Sequence, residues 1–277
     1  MPDKFFRSVL PGELRELPKI DTSVAHIARV YDYWLGGKDN FAIDREVGQK
    51  ALQAHPQTVL SVQANRRFLA RSVRHLAAKE GIRQFLDVGT GLPSANNTHE
   101  VAQAVAPDTR VVYVDNDPIV LAHARALLNS SKAGATEYID ADLRDTDTIL
   151  SRAGRLLDFT QPVAVTMLFI LHAIPDSDDP HAIVATVLDA LPPGSYLALS
   201  HLGSDIFDEE AQQGFQSIVG RMSQQQYTGR SREQMLRFFK DMELVEPGLV
   251  RIEEWRPDPG TLSDYKSTAW GAVGRKR

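Results

Sequence analysis

The sequence predicts an α/β fold, a mostly parallel sheet with helices on both faces. Three observations carry that expectation. From residue 82 onward, short apolar runs alternate with helix-length amphipathic stretches. One run, Phe85-Leu86-Asp87-Val88, closes in a glycine turn, Gly89-Thr90-Gly91, before helical spacing resumes at Ser94. Two late runs, near 249–255 and 267–274, are joined by a stretch too short for a crossover helix, which predicts an antiparallel pair.

Residues 1–20 read as a loose arm punctuated by Pro2, Pro11 and Pro18. Asp21, Thr22 and Ser23 offer N-caps for a helix carrying Val24, Ile27, Val30, Tyr31 and Trp34 on one face, stopped by Gly36-Gly37. A short helix over 44–54 ends at His55-Pro56. Thr58 to Glu80 is the clearest amphipathic helix, with Gly81 as its terminator. Strands follow near 84–88, 110–114, 136–139, 163–169 and 195–201, with helices near 94–106, 118–128, 143–153 and 180–191. Helices over 207–226 and 231–240 lead to the late strand pair. The organisation expected is an N-terminal arm and helical cap over 1–81, then one large domain over 82–277 with a helical insertion at 203–245.

Composition removes several classes. Lys and Arg number 31 against 36 Asp and Glu, so no basic excess points to nucleic acid. Cysteine is absent, which excludes disulfides, thiolate nucleophiles and Cys-ligated metal. Met1 to Gly12 lacks the apolar core of a signal peptide, and the run Pro162 to Leu171 is too short to span a bilayer. A cytoplasmic location without membrane partners is expected. The histidines show no metal spacing, so no metal is expected.

Chemistry concentrates at the strand ends. The first four runs end in Asp87-Val88-Gly89-Thr90-Gly91, Asp115-Asn116-Asp117, Asp140-Ala141-Asp142-Leu143 and Leu168-Phe169-Ile170-Leu171-His172. In open α/β sheets, ligands bind beyond the carboxyl ends of the strands. A glycine turn lets a ligand approach the backbone. A carboxylate closing the second strand suits two ribose hydroxyls, and Asp142 suits an adenine amino group. The alternative for each aspartate is a turn or helix cap.

Asp87-x-Gly89-x-Gly91, Asp115 and Asp142-Leu143 resemble the first three motifs of class I S-adenosylmethionine-dependent methyltransferases. Those enzymes have a Rossmann-like, seven-stranded sheet with a late antiparallel strand, which matches the late pair here. A narrower resemblance covers nearly the whole chain. Tyr31-Asp32-Tyr33-Trp34-Leu35-Gly36-Gly37-Lys38-Asp39-Asn40-Phe41, Gly89-Thr90-Gly91-Leu92-Pro93 and Asn96-Asn97-Thr98-His99-Glu100 are similar to an actinobacterial family of predicted S-adenosyl methyltransferases, formerly a domain of unknown function. The resemblance implies S-adenosyl-L-methionine as cofactor. It implies Gly89, Thr90 and Gly91 on its methionine part, Asp87 on its ammonium and Asp115 on its ribose. Asn116 would flank the adenine, Asp142 and the Leu143 N–H would read the adenine edge, and Phe169 closes the set at the fourth strand. Pro93 stands where the wider class has a third glycine. A dinucleotide fold would want glycine at Ser94, which disfavours NAD(P).

Methyl transfer to a small-molecule acceptor is therefore expected, with a non-catalytic cofactor-binding sensor or scaffold as the alternative. His172, Asp176 and His201 are the candidate bases, and His172 is placed first because it sits at the sheet's mouth and titrates near neutrality. Its alternative role is a half-buried histidine bonded to backbone. Tyr31, Trp34, Lys38 and Asn40 are candidate lid residues over the cofactor; the alternative places Trp34 in the core. Phe207, Phe215, Met222, Tyr227, Met235 and Phe238 are candidates for an acceptor pocket or a satellite core. The acceptor and the oligomeric state are not legible.

Overall fold

A computed structural model describes residues 21–120, 122, 130–206, 227–260 and 265–277. The strands are β1 (Gln84–Val88), β2 (Arg110–Asp115), β3 (Ala135–Asp140), β4 (Ala164–Leu168), β5 (Tyr196–Leu202), β6 (Met242–Leu244), β7 (Val250–Arg251) and β8 (Ala269–Lys276). The sheet runs β3-β2-β1-β4-β5-β8-β6, with β7 pairing off this path to β8. The first five strands are mutually parallel, and β8 runs antiparallel to β5, β6 and β7. Strand order reverses between β1 and β4, the switch point where such sheets bind ligands.

Seven helices are described: α1 (Ile27–Trp34), α2 (Ala42–Ala54), α3 (Thr58–Ala78), α4 (Thr98–Val105), α5 (Thr146–Ala153), α6 (Pro180–Asp189) and α7 (Arg232–Arg237). Strand alternation sorts the core. Leu86, Val88, Val112, Val114 and Met167 meet α5, α6 and α7 through Ile149, Val184 and Phe238 on one face. Phe85, Val111 and Ala164 meet α3 and α4 through Phe68, Val73, Leu76 and Ala102 on the other. A third cluster joins Val30 and Trp34 of α1 to Val47 and Ala51 of α2 and to Val62 and Tyr227.

Several boundaries differ from the sequence expectation. Helix α1 starts at Ile27 with His26 as its cap, because Asp21 turns back on Ser23, accepting from its N–H at 2.8 Å. Helix α4 starts at Thr98, not 94: Asn97 and Glu100 form a capping box, and Asn97 Oδ1 accepts from Ser94 N–H at 3.1 Å, which holds 94–97 as a turn. The late strand at 249–255 is only two residues long. Arg71 on α3 takes the carbonyls of Ile252 (2.6 Å) and Trp255 (2.8 Å), drawing the chain off the sheet. The edge strand β6 went unread, and α7 is shorter than the expected 231–240. The expected arm over 1–20, the helix over 207–226 and most of that over 118–128 lie outside the described residues. Among the described residues, no helix is long and apolar enough to cross a membrane.

Candidate cofactor site

Strand β1 delivers Asp87 with its side chain nearly closed from water. Its Oδ2 accepts from Thr98 Oγ1 at 2.5 Å and its Oδ1 from Thr166 Oγ1 at 2.8 Å. One carboxylate thus ties α4 and β4 to the end of β1. Burial pushes its pKa up, against the pull of the two hydroxyls. The chain then turns at Gly89 and Gly91, both left-handed, with φ +75° and +67°. At Gly89 an added Cβ would lie 2.5 Å from Ile170; at Gly91 it would meet nothing within 4 Å, so open space begins at its Cα.

Strand β2 delivers Asp115. Its Oδ2 accepts from the Gly91 N–H at 2.8 Å and its Oδ1 from the Asp117 N–H at 2.9 Å. The first strand's glycine turn is therefore bonded directly to the second strand's carboxylate. Burial raises the Asp115 pKa, opposed by these two donors. Strand β3 leads to Asp142, which accepts from Asn116 Nδ2 at 3.2 Å and from the Arg144 N–H at 2.9 Å. The Arg144 guanidinium bridges Asp142 to Asp178, at 3.1 and 2.7 Å.

These groups share one cavity of about 340 Å³, within the usual range for small-molecule sites. Asp87, Gly89, Thr90, Gly91, Asp115, Asn116, Asp142 and Leu143 all line it. Helix α1 closes its side with Ile27, Ala28 and Tyr31. His26 fastens the start of α1 to the β2 end, its Nδ1 lying 2.8 Å from Asp117 Oδ2 and 3.3 Å from the Ala28 N–H. A ring protonated there favours the carboxylate; a neutral one favours the cap. Burial works to raise the Asp117 pKa, but His26 holds it below the usual range.

Other expected residues lie elsewhere. Phe169 faces a second, smaller space. Of the lid candidates, only Tyr31 lines the large cavity. Trp34 is buried and donates to the Gly48 carbonyl at 3.2 Å; Lys38 is exposed. Asn40 donates to Asp32 Oδ2 at 2.8 Å and to the Gly37 carbonyl at 3.1 Å. The 36–41 stretch closes on Asp32 instead of reaching over the cavity, because that carboxylate also takes the Asp39 N–H at 2.9 Å. His201 is bonded to Arg230 Nη1 at 2.8 Å and to the Leu202 carbonyl at 2.9 Å, and burial pushes its pKa down to about 3. Asp176 is paired with Arg230 at 2.6 Å. Neither residue lines a cavity described here, whereas His172 faces the smaller space. Met235 and Phe238 belong to the sheet's core, Tyr227 lines the smaller space, and Phe207, Phe215 and Met222 lie outside the described residues.

Arg66 is a cavity residue with no signal in the sequence. It lines the large cavity from α3, donates to the carbonyls of Ala95 and Asn96 at 3.1 and 3.2 Å, and leaves its buried Nε without a partner among the described residues. In the sequence it is one of two adjacent arginines on a helix, and nothing local separates Arg66 from exposed Arg67. Among the described residues, no group of three or more His, Asp or Glu side chains could hold a metal ion.

A family model described as S-adenosyl methyltransferase matches residues 14–277. The chain belongs to this family. The methyltransferase is 42% identical to a DUF574-family protein from Streptomyces avermitilis MA-4680, over 93% of this chain and 99% of that one, with a TM-score of 0.88. It is also 42% identical to a candidate methyltransferase from Thermobifida fusca YX, over 98% of this chain and 100% of that one, with a TM-score of 0.85. An S-adenosylmethionine-dependent methyltransferase from Anabaena variabilis ATCC 29413 shares the fold at 13% identity, covering 91% of this chain and 96% of that one, with a TM-score of 0.50. No curated protein matches the sequence. The methyltransferase is an enzyme, and its cofactor is S-adenosyl-L-methionine.

The residues present fit that cofactor. The orphaned Arg66 Nε suits a carboxylate, the open space at Gly91 admits close approach to the backbone, and Asp115 retains lone pairs beyond its two N–H bonds.

Proposed function

We propose that this enzyme passes the methyl group of S-adenosylmethionine to a small-molecule acceptor, holding the cofactor in the cavity at the ends of β1, β2 and β3. The observation that carries this reading is the shared wall: Gly91, Asp115 and Asp142 line one space, and the Gly91 N–H is bonded to Asp115. Once bound, the sulfonium supplies a methyl carbon already activated for in-line displacement. The protein's part is then positioning, an effect worth about 7–11 kcal/mol in well-oriented systems.

Asp115 accepts the ribose hydroxyls. Asn116, Asp142 and the Leu143 N–H surround the adenine. Gly89, Thr90 and Gly91 pass beneath the methionine part, whose carboxylate is taken by Arg66. Asp87 faces the ammonium while its threonine bonds keep the loop in register. Helix α1 excludes water from the side, so α1 and α2 serve as the cap. The cysteine-free chain suits a reducing cytoplasm.

Calorimetry with S-adenosylhomocysteine tests the reading. Asp115→Ala should weaken binding at least about a hundredfold, the scale of two charge-assisted hydrogen bonds lost. Exposed Asp189→Ala should change nothing. Equal affinity in the wild type and Asp115→Ala would remove the cofactor from this cavity.

A further inference from the structure

Beside the large cavity, along the same edge of the sheet, lies a chamber of about 40 Å³. Ile27 and Tyr31 line both spaces, so the two adjoin at α1. The rest of the lining is aromatic and apolar at Trp34, Phe169, Tyr227 and Leu202, and polar at His172 and at a patch of His55, Thr58, Ser61 and Thr268. Among the described residues, no Asp, Glu, Lys or Arg side chain lines the chamber.

The chamber is built, not left over. Phe169 is held in a left-handed conformation, φ +53°, which a non-glycine residue adopts only under constraint. Its N–H donates to Ser200 Oγ at 3.1 Å; Ser200 Oγ donates to Asn65 Oδ1 at 2.6 Å, and Asn65 Nδ2 to the Tyr31 hydroxyl at 3.1 Å. One line of hydrogen bonds thus joins Phe169 to Tyr31 of α1. His172 is 6% exposed, stacked on Tyr227 with ring centroids 4.9 Å apart, and its Nδ1 has no hydrogen-bond partner among the described residues. A buried polar atom without a partner is costly unless something else completes it.

We propose that this chamber is the acceptor subsite, and that it admits the hydroxyl end of a small uncharged compound, hydrogen-bonded by His172, while rejecting carboxylates, phosphates and ammonium groups. The proposal rests on the cofactor occupying the neighbouring cavity. A charged group entering here would leave water and meet no Asp, Glu, Lys or Arg side chain among the described residues. Burial holds His172 well below the ordinary histidine range, so its ring is neutral and keeps a lone pair for a hydroxyl proton. In the transfer, the acceptor oxygen forms the new O–C bond and the C–S bond breaks with its electron pair remaining on sulfur. The hydroxyl proton is hydrogen-bonded to the neutral ring of His172 and leaves to water as the O–C bond forms, so the ring carries no charge at the end of the step.

Phenol and benzoate share a ring and differ in charge, which makes them the probes. Each is titrated by calorimetry into the full chain already saturated with S-adenosylhomocysteine. Phenol should bind at least tenfold more tightly than benzoate. His172→Phe should weaken phenol binding about tenfold, and His172→Asn, which keeps a hydrogen-bonding edge, should retain part of it. Leu202→Ala should enlarge the chamber and tighten phenol. Equal binding of the two probes would overturn the proposal. So would phenol binding that neither His172→Asn nor Leu202→Ala alters while S-adenosylhomocysteine still binds. If the wild type fails to bind S-adenosylhomocysteine, the cofactor reading itself falls, and the proposal with it.

Discussion

Asp87 is 5% exposed, and both of its carboxylate oxygens accept from threonine hydroxyls. A buried carboxylate whose pKa is raised binds protons more readily folded than unfolded, so its charge lowers stability as pH rises through that pKa. Threonine hydroxyls can turn from donor to acceptor, so Asn is accommodated at this position. Asp87→Asn should therefore melt at or above the wild-type temperature at pH 7.5 while binding S-adenosylhomocysteine at least tenfold more weakly. A lower melting temperature with unchanged affinity would make Asp87 purely structural. The shared position of Asp87 and Asp115 on one cavity was legible because both stand at the carboxyl ends of neighbouring parallel strands. Arg66 was not, because its partnerless Nε and its place on the cavity depend on how α3 lies on the sheet.

At the scale of elements, α1 and the 36–41 turn divide the work that one lid was expected to do. Helix α1 faces the cavity with Ala28. The turn instead winds around Asp32; at Gly37 an added Cβ would lie 1.9 Å from Asp32 Oδ1. Asn40→Ala removes three side-chain hydrogen bonds, to Asp32, Gly37 and Arg45, and should cost about 1–3 kcal/mol in a denaturation curve, with S-adenosylhomocysteine affinity within twofold of wild type. Ala28→Trp should do the reverse, blocking the cavity with little loss of stability. A large affinity loss in Asn40→Ala would restore the turn as a lid. The stretch 31–41 looked alike from end to end in the sequence. The placing of α1 against α2 involves Arg29, which bonds Asp44 on α2 at 3.1 Å and also reaches the Val24 carbonyl. Such a long-range contact leaves no local pattern.

Across the whole molecule, β1, β2, β4 and β5 are legible because they are mostly buried on both faces, and half-covered β3 because turns bound it. The antiparallel edge is less legible: β6 has two half-covered residues and an exposed Glu243, and β7 has two half-covered residues. Buried charge sets the response to acid. His172 and His201 are held neutral, so their contribution to stability is complete above pH 6.5 and lost as pH falls toward their folded values, about 3 for His201. One such histidine costs about 1.4 kcal/mol one pH unit below 6.5. Denaturation curves at pH 7.5 and 5.5 should therefore show His201→Gln losing about that much less than the wild type; equal losses would mean that His201 is protonated in the fold. The central claim is that three neighbouring strand ends hold one adenosine-bearing ligand. A crystal grown with S-adenosylhomocysteine tests it most directly. The ribose is expected on Asp115, the adenine beside Asp142 and the methionine carboxylate at Arg66; density for the ligand away from all three would contradict that claim.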